Sequence, residues 1–249
     1  MTVKRSGFAV VTAGASGIGR VIAQALIDGG WRVMITDIDE QAGERTAAET
    51  GCTFFPCDMG DPEAVQAVFA AVPAVGLLVN NAGIAGPTLP VAEAPVEEWR
   101  RTLDVNLTAQ FVAAQCVLPG MIAARHGVIV NMASVAARIG YPNRAAYAAS
   151  KWGVLGFTAS LAREVGEAGI RVNAIVPGSV RGERIEKVVA AYADKNAVSV
   201  AEAEAYYLAR SATRRFVEPE EIAAMVLYLA SDAARSITGQ FIGVDGGFE

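Results

Sequence analysis

The stretch that decides the fold is FAVVTAGASGIG, residues 8–19. A continuous apolar run ends at Thr12, and Gly14, Gly17 and Gly19 follow as the pattern becomes helical. A glycine-rich loop between a strand and a helix lets backbone N–H groups and the helix N-terminus approach a pyrophosphate without obstruction by Cβ atoms. A tight strand-to-helix turn also needs glycine for steric reasons, so the stretch alone leaves both interpretations open.

Outward from this loop, short apolar runs alternate with longer helical patterns along the whole chain, which indicates βα units and a parallel sheet. Continuous apolar runs predict strands covered on both faces. These runs lie at 8–12, 33–36, 53–55, 76–80, 127–134, 171–177 and 241–245. Helical periodicity lies at 17–29, 40–49, 61–71, 96–124, 145–168 and 219–231. The sequence therefore predicts one α/β domain over 1–249, a doubly wound sheet of about seven parallel strands with helices on both faces.

One segment, at about 182–216, departs from this alternation. It is rich in Ala, Glu, Arg and Tyr, contains no predicted strand, and lies between the sixth and seventh strands. The carboxyl ends of the strands would face a ligand crevice there. A helical substrate lid is one interpretation, and a solvated helical excursion without a gating role is the other.

Composition argues against several classes of partner and site. The formal net charge of -5 gives no basic surface for nucleic acid. The three cysteines form no CxxC pair, which argues against a disulfide framework or a structural zinc site. With one histidine and no carboxylate cluster at ligand spacing, we expect no catalytic metal. No uninterrupted apolar run approaches the roughly 18 residues of a membrane-spanning helix, so we expect no membrane partner and a cytoplasmic location.

A carboxylate downstream of the loop bears on the cofactor. Asp37 ends the second predicted strand, roughly 20 residues after the loop, where it can accept hydrogen bonds from the adenosine ribose hydroxyls. The same charge would repel a 2′-phosphate, so the sequence favours NAD over NADP. Arg20 and Arg32 lie close enough in sequence to keep NADP as the less favoured alternative.

A tyrosine and a lysine on one helical face suggest acid–base chemistry. Within AAYAASKWG at 145–153, Tyr147 and Lys151 are four residues apart and share a face. An ammonium one turn away stabilises a phenolate, which lowers the pKa of a phenol from its usual value near 10. Ser134 could hydrogen-bond a substrate oxygen that the tyrosine also reaches, and Asn106 could hold a water or kink its helix. A Tyr and a Lys at this spacing are more often a surface pair or a packing pair. The acid–base interpretation therefore depends on the presence of Ser134, Asn106 and the glycine-rich loop in the same chain.

Together with the loop, these residues strongly resemble the short-chain dehydrogenase/reductase family over essentially the whole chain. The matching motifs are TAGASGIG, Asp58 in PCDM, NNAG at 80–83, Asn106, Ser134, YAASK at 147–151, Pro177-Gly178 and VDGG near the end. The resemblance implies a Rossmann-type fold, an NAD-dependent oxidoreductase acting on CH–OH groups, and a homotetramer.

The resemblance also implies a role for each matching residue. Tyr147 would be the general acid/base, and Lys151 would lower its pKa and bind the nicotinamide ribose. Ser134 would position the substrate oxygen, Asn106 would anchor a proton-relay water, and Asp58 would bind the adenine amine. The implied cofactor-binding residues are Gly14, Ser16, Gly17, Ile18, Gly19, Asp37, Asp58, Met59, Asn80, Ala82, Gly83, Tyr147, Lys151, Pro177, Gly178 and Val180.

The substrate is indicated only coarsely. Alongside Ser134 and Tyr147, the candidate substrate-binding residues are Arg138, Arg144, Arg181 and Arg184. Guanidinium groups clamp carboxylates, sulfonates or phosphates bidentately, although surface salt bridges explain these arginines almost as well. We expect a small polar substrate such as a sugar acid, a polyol or a sulfonated or carboxylated hydroxy compound. A 3-oxoacyl thioester reductase is the alternative enzyme, and a non-catalytic dinucleotide-binding sensor is the alternative of another class.

The cofactor loop departs from the family at one position. The glycine that usually follows the threonine is Ala13 here, and glycine appears one place later as Gly14. We expect the turn to be rerouted through Gly14, while Gly17 and Gly19 keep their spacing to the helix. If Ala13 instead needs a positive φ in the bound state, the loop is strained, and Ala13→Gly should raise cofactor affinity.

Overall fold

A computed structural model describes residues 7–248 of the chain. Seven strands form one parallel sheet in the order β3-β2-β1-β4-β5-β6-β7. They are β1 Phe8–Thr12, β2 Arg32–Asp37, β3 Thr53–Pro56, β4 Val75–Asn80, β5 Gly127–Met132, β6 Ile170–Pro177 and β7 Phe241–Val244. Every residue of β5 is buried, because helices cover both faces of the sheet, and a strand in that position is apolar without alternation. The predicted sheet is confirmed.

Helices pack on both faces of this sheet. The α-helices are α1 Gly17–Asp28, α2 Glu40–Thr50, α3 Pro62–Ala70, α4 Val96–Leu103, α5 Ala109–Ala124, α6 Ala145–Val165, α7 Glu183–Asn196, α8 Val200–Leu208 and α9 Pro219–Ala230. Of these, α7 and α8 pack mainly on each other. One buried apolar cluster joins α1 and α9 to the sheet through Leu26 and Leu229. A second cluster joins α5 and α6 to the other face through Met121 and Leu161. The two clusters make the domain a three-layer α/β structure.

Asp residues set two of the helix starts. The Asp39 side chain accepts a hydrogen bond from the N–H of Ala42 at 2.9 Å and caps α2. The Asp61 side chain accepts from the N–H of Glu63 at 2.9 Å and begins α3, with Pro62 in the first turn. A capping carboxylate satisfies N–H groups that have no partner inside the helix, and proline suits a first turn.

The helical region Val96–Ala124 is continuous but irregular. A π-helical turn over Asp104–Thr108 joins α4 to α5. The 29 residues of this region have a mean hydropathy of 1.5 in their most apolar window, enough by length and composition to cross a membrane. No uninterrupted apolar run of that length occurs in it, because Gln110, Gln115 and Pro119 interrupt the apolar residues. The same length and hydropathy also occur in core helices, and α5 packs against α3, β4 and β5.

Residues 182–216 form α7 and α8 and, as predicted, no strand. The two helices share a small apolar cluster made by Val189, Ala193, Ala203 and Phe216. The chain enters and leaves the segment side by side, where Val180 and Val217 form an isolated parallel bridge, and a second isolated bridge joins Ser211 to Phe248. The segment is therefore an excursion with its own packing, anchored at its two ends.

The strand order creates the crevice in which ligands of such folds bind. From β1 the chain proceeds outward to β2 and β3, then returns to place β4 on the other side of β1. Loops that follow β1 and β4 therefore diverge to opposite faces of the sheet. The carboxyl ends of β1, β4, β5 and β6 all open toward this point.

Candidate active site

The loop after β1 turns at Ala13, whose φ is 51°. Gly14 does not have a positive φ; its N–H donates to the Thr36 carbonyl oxygen at 2.9 Å. A Cβ on Gly14 would lie 2.6 Å from Cβ of Ile35, so this glycine is required by packing on β2. The expected rerouting through Gly14 is therefore wrong, and Gly14 does not line the cleft.

The N-terminus of α1 opens into a cleft of about 580 Å³. Ser16, Gly17, Ile18 and Gly19 line this end of the cleft. The Ser16 side chain makes no capping hydrogen bond, and the first turn of α1 holds no acidic residue. A Cβ on Gly17 would meet no atom within 4 Å, so the space in front of the helix is open. Uncapped N–H groups and the positive end of a helix dipole fit a pyrophosphate.

Thr12 and Asn81 hold the loop after β4 against the loop after β1. The Thr12 hydroxyl accepts hydrogen bonds from the N–H groups of Asn81 at 3.0 Å and Ala82 at 2.9 Å. In return, Nδ2 of Asn81 donates to the carbonyl oxygens of Thr12 and Ala13, both at 3.0 Å. Gly83 and Asn81 consequently line the cleft.

The Asn80 side chain does not line the cleft, although Asn81 and Gly83 do. It is buried in the sheet, and its Nδ2 donates to Oδ1 of Asn131 at 2.9 Å. The sequence analysis selected Asn80 and missed Asn81, although NNAG contains both. Because side chains alternate along a strand and its continuation, only one of the two asparagines can face the loop.

Asp37 lies beside the cofactor loop, as predicted. Its Oδ2 accepts the N–H of Ala15 at 3.0 Å, and its Oδ1 accepts the N–H of Asp39 at 3.1 Å. These contacts fix a carboxylate at the end of β2, next to the start of α1. Met59 is buried beneath β2, where the Thr36 hydroxyl approaches its sulfur at 3.5 Å, and it does not line the cleft.

Asp58 forms an ion pair with Arg101, a partner that was not predicted from the sequence. Nη2 of Arg101 donates to both carboxylate oxygens, at 2.8 and 2.9 Å, and the N–H of Gly60 donates at 2.8 Å. Partial burial alone would raise the pKa of Asp58, but these hydrogen bonds and the guanidinium charge hold it below its usual value. Asp58 is therefore an oriented carboxylate that follows β3 and lies outside the cleft lining.

Tyr147 and Lys151 both line the cleft, in the first two turns of α6. Lys151 is buried, its Nζ donates to the Met132 carbonyl oxygen at 2.8 Å, and it lies 5.9 Å from the centroid of the Tyr147 ring. Burial alone would raise the pKa of Tyr147, but the ammonium of Lys151 and the guanidinium of Arg184 lower it below its usual value. Burial also lowers the pKa of Lys151. The tyrosine is thereby poised for proton transfer.

Ser134 follows β5 and faces Tyr147 across the cleft. Its backbone is extended, and its hydroxyl accepts the N–H of Ala136 at 3.2 Å, which begins a short 3₁₀ turn. The Ser134 hydroxyl contributes to lowering the pKa of Tyr147. Strand β5 ends at Met132, two residues before the predicted end, because Ser134 already belongs to this turn.

Asn106 lies in the π-helical turn and is buried. Its Oδ1 accepts the N–H of Ile84 at 2.7 Å, and its Nδ2 donates to the carbonyl oxygen of Ile84 and to Oγ of Ser150, both at 3.0 Å. Ser150 in turn donates to the Tyr147 carbonyl oxygen at 2.7 Å. The helix is irregular at Asn106, which was one of the two roles considered for this residue, and its amide ties the loop after β4 to α6. Ser150 was missed, although it lies within YAASK.

The far end of the cleft is formed by the loop after β6 and by α7 and α8. Pro177, Gly178 and Val180 line it, as do Arg144, Arg181 and Arg184. Arg138 does not, because its guanidinium pairs with Asp245 at 3.3 Å and donates to the Phe241 carbonyl oxygen at 3.1 Å. The cleft lining also includes Tyr141, Tyr207, Arg210 and Phe248, which the sequence analysis did not include among the site residues.

Comparison with known proteins agrees with this geometry. A family model described as enoyl-(acyl carrier protein) reductase matches residues 12–249. The chain is 38% identical over 246 residues to a 2,5-dichloro-2,5-cyclohexadiene-1,4-diol dehydrogenase of Sphingobium indicum, covering 96% of this chain and 95% of that protein. It is 36% identical over 244 residues to a 2-dehydro-3-deoxy-L-rhamnonate dehydrogenase (NAD(+)) of Sphingomonas sp., covering 96% and 94%.

A solved structure extends the similarity to the backbone. A tryptophan variant of actinorhodin polyketide ketoreductase with NADPH superposes with a TM-score of 0.92 and is 36% identical, covering 99% of this chain and 98% of that chain. The match in sequence and fold thus spans nearly the whole molecule. The chain therefore belongs to the short-chain dehydrogenase/reductase family, whose members bind a nicotinamide dinucleotide, and it is an oxidoreductase acting on CH–OH groups.

Proposed function

We propose that the chain is an NAD(H)-dependent oxidoreductase that interconverts a secondary alcohol and a ketone on a small polar substrate. Sugar acids, polyols and sulfonated or carboxylated hydroxy compounds are the substrate types we favour. The observation that carries the proposal is Tyr147 beside buried Lys151, in the same cleft as the uncapped N-terminus of α1. A phenol whose pKa is lowered is suited to exchange a proton with a carbinol oxygen.

The four proposed catalytic residues divide the chemistry. Tyr147 takes the proton of the carbinol oxygen during oxidation, and Ser134 donates a hydrogen bond to the same oxygen. Lys151 stabilises the phenolate and binds the nicotinamide ribose. Asn106 is buried outside the cleft lining and its amide is held by Ile84 and Ser150, so it would anchor the proton-relay water from within its turn and not by a free side chain. The nicotinamide, when bound, accepts or returns the hydride of the carbinol carbon.

The cofactor would lie along the carboxyl ends of β1, β4 and β6. N–H groups of Ser16 to Gly19 would bind the pyrophosphate, Asp37 the adenosine ribose and Asp58 the adenine amine. The other proposed contacts are Met59, Asn80 and Ala82 through their backbones, and Gly83, Pro177, Gly178 and Val180. Gly14 would support the loop from β2 without contacting the cofactor.

The proposed preference for NAD depends on two local charges. The Asp37 carboxylate beside the loop would repel a 2′-phosphate. Arg20, the nearest cation on α1, already forms an ion pair with Glu49 of α2 and would have to exchange partners to bind that phosphate. The name of the Sphingomonas relative specifies NAD(+), whereas the ketoreductase structure was solved with NADPH.

We include two larger-scale features in the proposal. Residues 182–216 would act as a helical substrate lid, since three of their side chains line the cleft. These are Arg184, Tyr207 and Arg210. The family resemblance implies a homotetramer, and Phe111 and Trp152 on α5 and α6, which are 50% and 52% exposed, would lie in its interfaces. Light scattering on the purified protein tests the assembly.

The test is a screen of NAD+ and NADP+ reduction with polyols, sugar acids, hydroxy sulfonates and 3-hydroxyacyl thioesters. We expect NAD+-linked oxidation of a small polar alcohol, with a rate that rises with pH through the lowered pKa of Tyr147 because the phenolate is the base. Tyr147→Phe should retain NAD+ binding and lose nearly all turnover. Substantial turnover in that variant would rule out the role given to Tyr147.

A 3-oxoacyl thioester reductase is the second candidate, favoured by the similarity to a polyketide ketoreductase. It would be supported by NADPH-linked reduction of a 3-oxoacyl thioester, with little activity on small alcohols. A non-catalytic dinucleotide sensor would bind NAD+ and turn over no member of the screen. The three outcomes are distinct, so one screen separates the three functions.

A further inference from the structure

The cleft carries an excess of positive charge that the composition does not explain. Its cationic side chains are Arg144, Lys151, Arg181, Arg184, Lys187 and Arg210, whereas Glu183 is its one carboxylate among the residues described. The chain as a whole has a formal net charge of -5. The positive charge is therefore concentrated where a ligand would bind, and it raises the local concentration of anions.

Three of these six cations are already engaged. Nε of Arg181 donates to Glu218 at 2.9 Å, outside the cleft. Lys187 pairs with Glu183 at 3.4 Å, and Lys151 is held by the Met132 carbonyl oxygen. Within residues 7–248, Arg144, Arg184 and Arg210 form no ion pair. These three guanidinium groups are available to a ligand.

Two of the three flank Tyr147. The guanidinium carbon of Arg144 lies 5.2 Å from the centroid of the Tyr147 ring, and that of Arg184 lies 5.6 Å from it. Nε of Arg144 is buried and has no hydrogen-bond partner in the described chain. Arg210 lies over a different ring, since its guanidinium carbon is 4.6 Å from the centroid of Phe248. The buried N–H of Arg144 Nε costs free energy while it has no partner, and a hydrogen-bond acceptor on a ligand would recover that cost.

We propose that Arg144 and Arg184 together bind an anionic group of the substrate, a carboxylate or sulfonate, while its carbinol oxygen lies at Tyr147. The inference rests on the proposed function and adds the charge of the substrate and the residues that select it. Planar guanidinium groups bind such oxyanions through paired hydrogen bonds, so the anion also fixes which hydroxyl reaches the tyrosine. The repulsion between two cations near the same ring is relieved when an anion binds them.

The experiment compares hydroxy acids with their neutral amides in the NAD+-linked oxidation. Suitable pairs are 3-hydroxybutyrate with 3-hydroxybutyramide and 4-hydroxycyclohexanecarboxylate with its amide. The variants are Arg144→Gln and Arg184→Gln. The matched control is Arg163→Gln, which removes one positive charge from an exposed position at the other end of α6.

In the wild type we expect the acid to have the higher kcat/KM in each pair that is turned over. Each cleft variant should lower the acid-to-amide ratio by about ten- to hundredfold, the size expected for a charge-assisted hydrogen bond. Arg163→Gln should leave the ratio unchanged. The NAD+ dissociation constant should stay within about twofold in all variants.

Several results would overturn the inference while leaving the proposed function standing. Equal kcat/KM for acid and amide in the wild type, or an unchanged ratio in Arg184→Gln, removes the anion site. A weaker NAD+ affinity in Arg144→Gln and Arg184→Gln would assign the two arginines to the cofactor phosphates instead. If neither pair is turned over, the thermal midpoint is measured with acid and with amide in the presence of NAD+. A midpoint that rises more with the acid supports the anion site, and one that does not overturns it. Failure of the proposed function is recognised separately, by the absence of NAD+-linked turnover in the wider substrate screen.

Discussion

Ala13→Gly tests whether the cofactor loop is strained. Ala13 has a φ of 51°, and a left-handed conformation costs an L-residue about 1–2 kcal/mol that glycine avoids. Glycine also gives the unfolded chain more freedom, which offsets about 0.4–1 kcal/mol of that gain. Loss of a half-buried methyl offsets a few tenths more. We therefore expect Ala13→Gly to stabilise the fold by about 0.5 kcal/mol, a rise in Tm of about 1–2 °C.

Ala197→Gly is the matched control, because Ala197 has a φ of 53° at the C-terminus of α7 and is exposed. It loses no packing, so its Tm should rise at least as much as that of Ala13→Gly. Differential scanning calorimetry measures both. A lower Tm for Ala13→Gly beside a higher one for Ala197→Gly would refute strain at Ala13. We also expect Ala13→Gly to bind NAD+ more tightly than the wild type. Titration with NAD+ tests this prediction, and the control Ala197→Gly should bind NAD+ as the wild type does.

Asp37→Asn should raise the ratio of kcat/KM for NADP+ to that for NAD+ by about tenfold or more, because a carboxylate no longer repels the 2′-phosphate. An unchanged ratio in steady-state kinetics would place the determinant elsewhere. Thr12→Val should destabilise the fold by about 1–3 kcal/mol, since the buried N–H of Ala82 loses its acceptor. Urea unfolding measures the loss, and Thr12→Ser, which keeps the hydroxyl, should be close to the wild type.

The sheet was predictable because its strands are buried on both faces. Strands in that position are continuous apolar runs, and all seven predicted runs lie on strands of the structure. The end of β5 was less predictable. Ser134 is extended like a strand residue, but it leaves the sheet to begin a 3₁₀ turn, and only the hydrogen bond to Ala136 distinguishes the two.

The site was predictable where function follows from local spacing. Tyr147 and Lys151 are one helical turn apart, and no long-range packing is needed to place them on one face. Arg138 could not be placed in this way, because its direction is set by Asp245, which is 107 residues away. Arg210 reaches the cleft only through the path of α7 and α8, which leaves no local pattern in the sequence.

The π-helical turn Asp104–Thr108 also limits which changes in length this region can accept. Such a turn holds one residue more than an α-helical turn, so deleting a single residue within it would restore an unbroken helix. The helices on either side would keep nearly their present relative direction, because the wide turn already absorbs the extra residue, whereas a deletion in a regular α-helical turn would rotate everything beyond it by about 100°. The repaired helix would be more regular, yet the wide turn that directs Asn106 toward Ile84 and Ser150 would be lost. The shortened chain would thus have a higher helix content, but it would lose the hydrogen bonds by which Asn106 joins the loop after β4 to α6.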